Sequence, residues 1–244
     1  MAPDCRRPIS RTLAAACLLL GGLLLAGCGG ELGNLGQADP QNPGVFPPSS
    51  APYGKAYGEW VAAWWQWAMA IPASRNPLVD PTGAYAGVNQ SGPVWFLAAT
   101  SGGGTVERTC AVPGGEGILV PIMPWLAAIP LDGTTDGEIR RSNRGMVDRV
   151  TEVEATVDGV PLNGVWNYRF PSPFFQYTAP PPSEALFPEY AGTHRAVADG
   201  FWFMLEPPSA GPHTIYFRAK AVFPGTYPGT SVWEGAVTYH LTVE

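Results

Sequence analysis

Residues 213–223 read HTIYFRAKAVF, and residues 235–243 read GAVTYHLTV. In the first stretch Ile215, Phe217 and Ala219 alternate with polar or charged neighbours, and the second stretch repeats this alternation. A period of two places apolar side chains on one face of a strand and polar side chains on the other. We therefore predict a mainly β protein, an antiparallel β-sandwich in which one face of each of these strands is buried.

The rest of the chain supports this fold class. It contains 30 glycine and 27 proline residues, which favours short elements joined by turns. Hydrophobic residues make up 45% of the sequence, so a large core is available. The dipeptide Asp158-Gly159 predicts a hairpin turn. Similar patterns predict further strands at 93–99, 105–112, 117–123, 150–157, 165–170 and 198–205.

One tryptophan-rich helix is predicted near the start of the domain, at residues 55–71 (KAYGEWVAAWWQWAMAI). Its apolar residues share a face at helical spacing, and Pro72 ends the run. Trp65 lies off that face, so we expect it to be the most exposed of the four tryptophans. The aromatic side chains either fill the core beneath a sheet or bind sugar rings or lipid headgroups. Aromatic stripes at this spacing are usually core.

A second, shorter helix is predicted at residues 136–149, with Thr135 as its N-cap and Glu138 completing a capping box. Its face carries Arg140, Arg141 and Arg144. Guanidinium groups suit an anionic headgroup or a phosphate-bearing glycan. Acidic residues lie close by in the sequence, however, and the alternative is a solvated face with weak ion pairs.

The N-terminal segment has the pattern of a bacterial lipoprotein signal. Residues 1–11 carry three arginines, and residues 12–27 are apolar and uncharged. This apolar run is shorter than the roughly 20 residues that a transmembrane helix needs. It ends in LAGC, which resembles a lipobox and implies cleavage before Cys28 and a diacylglycerol on its thiol. The alternative is an ordinary secretory signal followed by a chance cysteine.

These features predict three parts of the chain: a signal peptide at 1–27, lipidated Cys28 with a disordered tether at 28–53, and a single domain at 54–244. Several acyl chains, each contributing roughly 0.8 kcal/mol per buried methylene, would hold the protein stably at a membrane. Because Gly29 follows the cysteine, the resemblance favours the outer membrane where the cell envelope has two. The expected partner of the N-terminus is therefore the membrane itself.

Cysteine content and net charge bear on two further questions, disulfide bonding and the class of partner. Cys5 and Cys17 leave with the signal, so Cys110 remains without a disulfide partner and is expected to be a buried, inert thiol. Loss of three arginines and one aspartate changes the net charge from −6 to −8. An acidic domain repels phosphate backbones, which argues against nucleic acid as a partner.

Several blocks together resemble a family of exported bacterial proteins that has no assigned activity. They cover about residues 57–243 and read WVAAWWQWAMAIP, NPLVDPTG, QSGPVWFLA, RTCAVPGGEGILVPIM, ATVDGVPL, VADGFWFMLEPPSAGPHTIYF and VTYHLTV. In that family a cysteine often follows the PTG block, and the resemblance implies that it pairs with the cysteine of the RTC block. Here the corresponding residues read AYAGVNQ, so Cys110 departs from that pattern.

A ligand site, if the domain has one, is expected where the proline-rich loop 171–192 meets the strand ends. The aromatic residues predicted to line it, or alternatively to seal the end of the sandwich, are Phe174, Phe175, Tyr177, Tyr190 and Trp202. No metal or cofactor is expected, because the three histidines lack ligand spacing. The carboxylates of Glu184 and Glu189 are a pair of the kind that a glycosidase uses, although any acidic protein contains such pairs.

The leading hypothesis is a non-catalytic envelope module that binds a glycan, a protein or another envelope component. The alternative is a hydrolase that acts on envelope glycan or lipid, and a purely structural role is a third possibility. An enzyme would bring two carboxylates, or a histidine and a hydroxyl, together in a cleft. A binding protein would instead present aromatic or polar surface with unpaired groups.

Overall fold

The computed structural model describes residues 41–223 and 232–244; the predicted signal peptide, Cys28 and residues 29–40 lie outside them. Two α-helices are present in the described ranges, α1 (Tyr57–Ala70) and α2 (Asp136–Val147). The strands are β1 (Val94–Phe96), β2 (Gly104–Val112), β3 (Gly117–Ala128), β4 (Val150–Val157), β5 (Val160–Pro161), β6 (Phe175–Ala179), β7 (Gly192–Leu205), β8 (Gly211–Val222) and β9 (Val232–Val243). None of these helices is long and apolar enough to cross a membrane.

The strands form two sheets, with orders β1-β3-β7-β6 and β2-β9-β8-β4-β5. Most neighbouring strands are antiparallel, but β1 pairs with β3, and β2 with β9, in parallel. The mainly β prediction is confirmed, whereas purely antiparallel pairing was wrong at these two places. In both pairs other elements separate the two strands in the chain, so the pairs are not hairpins, which only antiparallel strands can form.

The core follows the predicted alternation in the C-terminal strands. Ile215, Phe217, Ala219 and Ala221 of β8 are buried, and their polar neighbours are more exposed. β3 and β7 differ, because β3 is buried along nearly its whole length and β7 is buried from Ala196 to its end. Both helices contact β7, and β3 also contacts the five-stranded sheet, so the central strands are covered more fully than a two-layer sandwich requires.

Both helices begin with a glutamate that accepts a hydrogen bond from the N-cap backbone, and α1 starts two residues after the predicted position. At α1 the Glu59 carboxylate accepts a hydrogen bond from the Ala56 backbone N–H at 2.8 Å. At α2 the Glu138 N–H donates to the Thr135 hydroxyl at 3.3 Å, and the Glu138 carboxylate accepts from the N–H of Thr135 at 3.1 Å. The predicted capping box is therefore confirmed.

The predicted hairpin turn is also confirmed. Asp158 and Gly159 both have positive φ angles, 52° and 79°, and Val157 pairs with Val160 across the turn. This backbone geometry matches the twist of the strands and explains the glycine at the second position.

Three predictions about local structure were wrong. Residues 165–170 contain a 3-10 helical turn, Val165–Asn167, in place of a strand. The loop 171–192 contains β6, which pairs with β7 and alternates buried and exposed residues. Part of the expected tether, residues 41–53, packs against the domain, because apolar Val45 and Phe46 meet the end of β7.

Candidate functional site

Three of the four tryptophans on α1 are structural. The indole N–H of Trp60 donates to the Pro52 carbonyl at 2.9 Å, and that of Trp64 donates to the Leu97 carbonyl at 2.7 Å. Trp67 donates in the same way to a loop carbonyl, that of Val88, at 2.9 Å. These rings are buried and their only polar atom is satisfied, so they join α1 to the loops and strands around it.

Trp65 is different. The expectation that it is exposed was wrong, because only 5% of its surface is accessible. Its ring packs edge-to-face on Trp64, with the centroids 5.1 Å apart. Its buried indole N–H has no hydrogen-bond partner among the described residues. The buried N–H groups of Trp95 and Trp202 also have no partner among the described residues, so an unpaired indole is not peculiar to Trp65.

Trp65 lines a cavity of about 540 Å³. Small-molecule sites commonly have volumes of roughly 300–1,000 Å³, so the cavity has the size of a ligand site. Six aromatic side chains surround it, and they come from α1, β3, the segment 187–190 and the ends of β8 and β9: Trp65, Trp125, Phe187, Tyr190, Phe223 and Trp233.

Four of these rings form two contacting pairs. Trp125 lies against Phe223 with the ring centroids 6.0 Å apart, and Phe187 meets Tyr190 edge-on at 6.1 Å. Aromatic pairs at such distances stabilise each other, so the apolar walls are held in place before a ligand arrives.

The polar groups of the cavity are few. Among the described residues that line it, Glu189 alone carries a formal charge, and its side chain is exposed. Ser101 and Thr100 add hydroxyl groups, although that of Thr100 already donates to the Gly103 carbonyl. A few polar groups set in an aromatic lining are typical of sites that orient a ligand.

The wall formed by residues 187–190 is fastened to the domain at several points. The Tyr190 hydroxyl donates to the Asp132 carboxylate at 3.0 Å, and the Tyr177 hydroxyl donates to the Tyr190 carbonyl at 3.3 Å. Burial, followed by the charge of Asp132, raises the pKa of Tyr190, so its hydroxyl stays protonated and able to donate. One ring nitrogen of His194 lies 2.8 Å from the Ala191 carbonyl oxygen and adds a further contact.

The predicted aromatic set is only partly assembled in space. Tyr190 lines the cavity, whereas Tyr177 supports its wall and Phe175 is buried on β6. Trp202 is fully buried beneath Trp64, with their centroids 5.1 Å apart, so it belongs to the core. Its placement corrects the prediction that Trp202 lines a site.

Phe174 lies at a separate surface position, between two arginines. The guanidinium groups of Arg140 and Arg195 are 4.4 and 4.8 Å from its ring centroid. Arg195 also pairs with Asp136 at 2.6 Å. Phe174 therefore serves a cation–π contact that joins α2 to β7.

The arginines of α2 do not gather around a common point. Arg140 donates to the Ser172 carbonyl at 3.1 Å, and Arg144 forms an exposed ion pair with Asp148 at 3.7 Å. Arg141 is exposed. This arrangement favours the solvated-face interpretation over an anion site.

A serine, a histidine and an aspartate come together at the hairpin end of β4 and β8. Nδ1 of His213 lies 2.7 Å from the Asp158 carboxylate, and its Nε2 lies 3.4 Å from the Ser209 hydroxyl oxygen. These roles resemble a hydrolase triad. However, Nε2 is nearer, at 2.9 Å, to the Ser209 carbonyl oxygen, which only accepts hydrogen bonds.

Nε2 of His213 must therefore carry a proton, and it is then no base for the serine hydroxyl. The hydrogen bond to Asp158 raises the pKa of His213, which favours the imidazolium that donates from both nitrogens. We interpret Asp158, Ser209 and His213 as a clamp that fixes the turn before β8.

Cys110 is half-buried, not fully buried as the sequence predicts. Burial raises the pKa of its thiol to about 11, although the nearby Arg108 lowers it. The thiol is thus protonated at neutral pH and a poor nucleophile. In the part of the chain that the structure covers, no group of three or more His, Cys, Asp or Glu side chains is placed to hold a metal ion.

Most of the cavity was missed in the sequence. Its lining comes from distant segments, since Leu78 and Trp125 each lie more than 100 residues before Trp233. Glu189 was identified only as half of a carboxylate pair, and its proposed partner Glu184 does not line the cavity. The usable signal was the aromatic content of residues 171–192, which correctly indicated Tyr190.

Comparisons of the chain with protein-family models, with curated proteins and with solved structures give no match.

Proposed function

We propose that this chain is a lipid-anchored protein of the bacterial cell envelope whose domain binds a small ligand, without catalysis, in the aromatic cavity. The observation that carries the binding role is the cavity of about 540 Å³, which is lined by six aromatic side chains and, among the described residues, by a single charged one, Glu189. A mainly apolar cavity of this size with a few polar groups is the common form of a small-molecule site.

The anchor is supported by the sequence. Charged, apolar and small residues precede Cys28 in the order that lipoprotein processing requires, and the resemblance of residues 57–243 to exported bacterial proteins fits the same location. In this proposal the chain belongs to that family, and the outer membrane is its site where two membranes exist.

A labelling experiment tests the anchor. Cells expressing the full chain are grown with a clickable fatty acid, and the protein is purified and examined for label. We expect label on the unaltered chain and on Cys110→Ser, the matched control, and none on Cys28→Ser. Label that persists in Cys28→Ser would contradict lipidation at this residue.

The chemistry of the cavity favours binding over hydrolysis. A glycosidase of the usual kind needs two carboxyl groups, about 5–10 Å apart, facing the bond that breaks. Glu189 is the one carboxylate among the described lining residues. The carboxylate of Asp132, which contacts the lining residue Tyr190, accepts hydrogen bonds from the Tyr190 hydroxyl and the Ala128 N–H, so it is engaged in holding the wall.

Occupancy of the cavity is tested with three probes of different chemistry: chitotriose, choline and laurate. Binding is followed by protein-observed NMR on the unaltered chain, on Ser101→Trp, which fills the cavity, and on Ser209→Trp, a surface control. We expect one probe to shift resonances of lining residues in the unaltered chain and in Ser209→Trp but not in Ser101→Trp. If none of the three binds, or if binding survives Ser101→Trp, the proposed function is wrong.

A further inference from the structure

We infer that the domain docks on the lipid bilayer through residues 159–167, the segment that begins in the Asp158-Gly159 turn, with Val160 and Trp166 inserted at the membrane interface. The inference rests on the lipid anchor of the proposed function and adds a second contact with the same membrane. Three properties of the segment lead to it: its exposed apolar side chains, its lack of charge and its attachment to the N-terminal chain.

Val160 and Trp166 are the most exposed large hydrophobic residues in the described ranges. The exposed fraction is 63% for Val160 and 51% for Trp166. Both lie beside β4, because Val160 pairs with Val157 and the turn Val165–Asn167 contacts the same strand. Single exposed apolar residues are common on protein surfaces, but two in one short segment concentrate apolar surface at one place.

The segment is held in its conformation by the domain. The Leu162 N–H donates to the Ala155 carbonyl at 2.9 Å, which fixes the middle of the segment on β4. The Trp166 ring packs edge-on against the buried ring of Phe201, with the centroids 5.3 Å apart. The exposed part of the indole is therefore presented before the membrane is reached, and docking orders few additional groups.

The segment itself carries no charge, because residues 159–167 read GVPLNGVWN. Charged residues at its two ends are paired, Asp158 with His213 at 2.7 Å and Arg169 with Asp199 at 2.6 Å. No charge on the segment has to be desolvated when it enters the interface. Tryptophan suits this position, since its ring is apolar while its N–H can donate to a headgroup oxygen, and it is enriched at membrane interfaces.

The N-terminal chain enters the domain at this segment, which is what favours a bilayer as the partner. The Asn42 amide donates to the Asn163 carbonyl at 3.0 Å and accepts from the Asn163 N–H at 2.6 Å. The Asn163 side chain also donates to the Gln41 carbonyl at 2.8 Å. Twelve residues separate Gln41 from Cys28, and a chain of that length spans at most about 45 Å.

Full extension of this connection costs conformational entropy. The acyl chains on Cys28 therefore hold Asn163 closer to the bilayer than surfaces that lie farther along the domain. Because Asn163 stands between Val160 and Trp166 in the chain, the anchor brings the apolar side chains to the membrane with it.

Quenching of a fluorescent dye by the bilayer tests the contact. The lipidated protein, purified from membranes, carries nitrobenzoxadiazole on Asn167→Cys in the segment, or on Thr151→Cys at the other end of β4, with Cys110→Ser in both. Each is reconstituted into phosphatidylcholine vesicles whose acyl chains bear nitroxides. We expect strong quenching at position 167 and little at 151. Equal quenching at both positions, or none at either, would overturn the inference.

Substitutions of the two apolar residues sharpen the test. Trp166→Ser should lower the ratio of docked to undocked domain about 10-fold, the equivalent of about 1.4 kcal/mol, because the largest apolar contact is lost. Val160→Ser should lower it about 3-fold, since valine is smaller. Tyr85→Ser and Val79→Ser are matched controls, because these residues are 39% and 49% exposed and lie outside the segment. If Trp166→Ser is quenched as strongly as Tyr85→Ser, the inference is wrong.

Salt distinguishes an apolar contact from an electrostatic one. At about 1 M salt, where the Debye length is about 3 Å, quenching at position 167 should be unchanged. Release of the segment by salt would show that charges hold it at the membrane and would overturn the inference.

The fatty-acid label on Cys28 separates failure of this inference from failure of the proposed function. If the protein carries the label and the dye at position 167 is not quenched, the docking segment is wrong and the anchor stands. If Cys28 carries no label, the anchor and the docking are both wrong. Ligand binding is tested separately, because none of residues 159–167 lines the aromatic cavity.

Discussion

Trp64 and Trp65 are neighbours on the same helix, and both are almost completely buried. Their rings touch edge-to-face. The Trp64 N–H donates to the Leu97 carbonyl at 2.7 Å, whereas the Trp65 N–H has no partner in the described ranges. Burial therefore does not distinguish a core residue from a residue of the candidate site. Contact with the cavity does, because the N–H groups of Trp95 and Trp202 are also buried and unpaired among the described residues although neither residue lines the cavity.

The two residues also differ in what surrounds them. Trp64 contacts Trp202 and Trp67, so its ring is enclosed by other rings of the core. Trp65 has a cavity on one side. We therefore expect changes at Trp64 to act on stability and changes at Trp65 to act chiefly on ligand binding.

The largest expected effect is that of Trp64→Ala. Removing a fully buried indole leaves an internal void and an unpaired carbonyl at Leu97, which should lower the free energy of unfolding by about 3–5 kcal/mol. Urea denaturation followed by circular dichroism measures the change. A loss below about 1 kcal/mol would show that Trp64 is not the core residue described above.

A sharper form of the comparison uses the same substitution at both positions. Trp64→Phe and Trp65→Phe each remove one indole N–H, but only the first breaks a hydrogen bond. We expect Trp64→Phe to cost about 1–3 kcal/mol more than Trp65→Phe, because it leaves the Leu97 carbonyl buried and unpaired. Equal losses in urea denaturation would contradict the assignment of an unpaired donor to Trp65.

The smallest expected effect concerns His213, which forms the clamp with Asp158 and Ser209 near the surface. Asp158 raises the pKa of His213 above its ordinary value of 6.5. The stabilisation is complete below pH 6.5 and is lost as the pH rises through the raised pKa. Burial opposes the shift, but the hydrogen bond from His213 helps to lower the pKa of Asp158. On the acid side the ion pair is therefore lost only as the pH falls below the ordinary carboxyl value of 3.8 and Asp158 becomes protonated.

We expect the clamp to contribute about 0.5–1 kcal/mol, as partly exposed ion pairs do. The measurement is the free energy of unfolding at about pH 5.5 and about pH 8.5, for the unaltered chain and for His213→Gln. The difference between the two chains should be larger at the lower pH. A difference that grows as the pH rises would reverse the sign that the geometry requires.

The fold was predictable wherever a local pattern determines the structure. Strict alternation located β8 and β9, Thr135 and Glu138 located the start of α2, and Asp158-Gly159 located a turn. Each of these signals lies within about a dozen residues, so no knowledge of the tertiary structure was needed.

The candidate site was less predictable, because it depends on contacts between distant segments. The expectation for Trp65 assumed that α1 is covered on one side. In the structure nine of its 14 residues are buried, so the off-face tryptophan is enclosed too. Periodicity reports which residues of a helix share a face, and it does not report how many neighbours cover the helix.

The position of β9 in its sheet has a consequence for the order of events during synthesis. β9 lies between β2 and β8, and its pairing with β2 joins residues such as Val112 and Val243. The five-stranded sheet therefore stays divided until β9 has been synthesised. A truncation that removes β9 would leave the facing edges of β2 and β8 unpaired and open to aggregation.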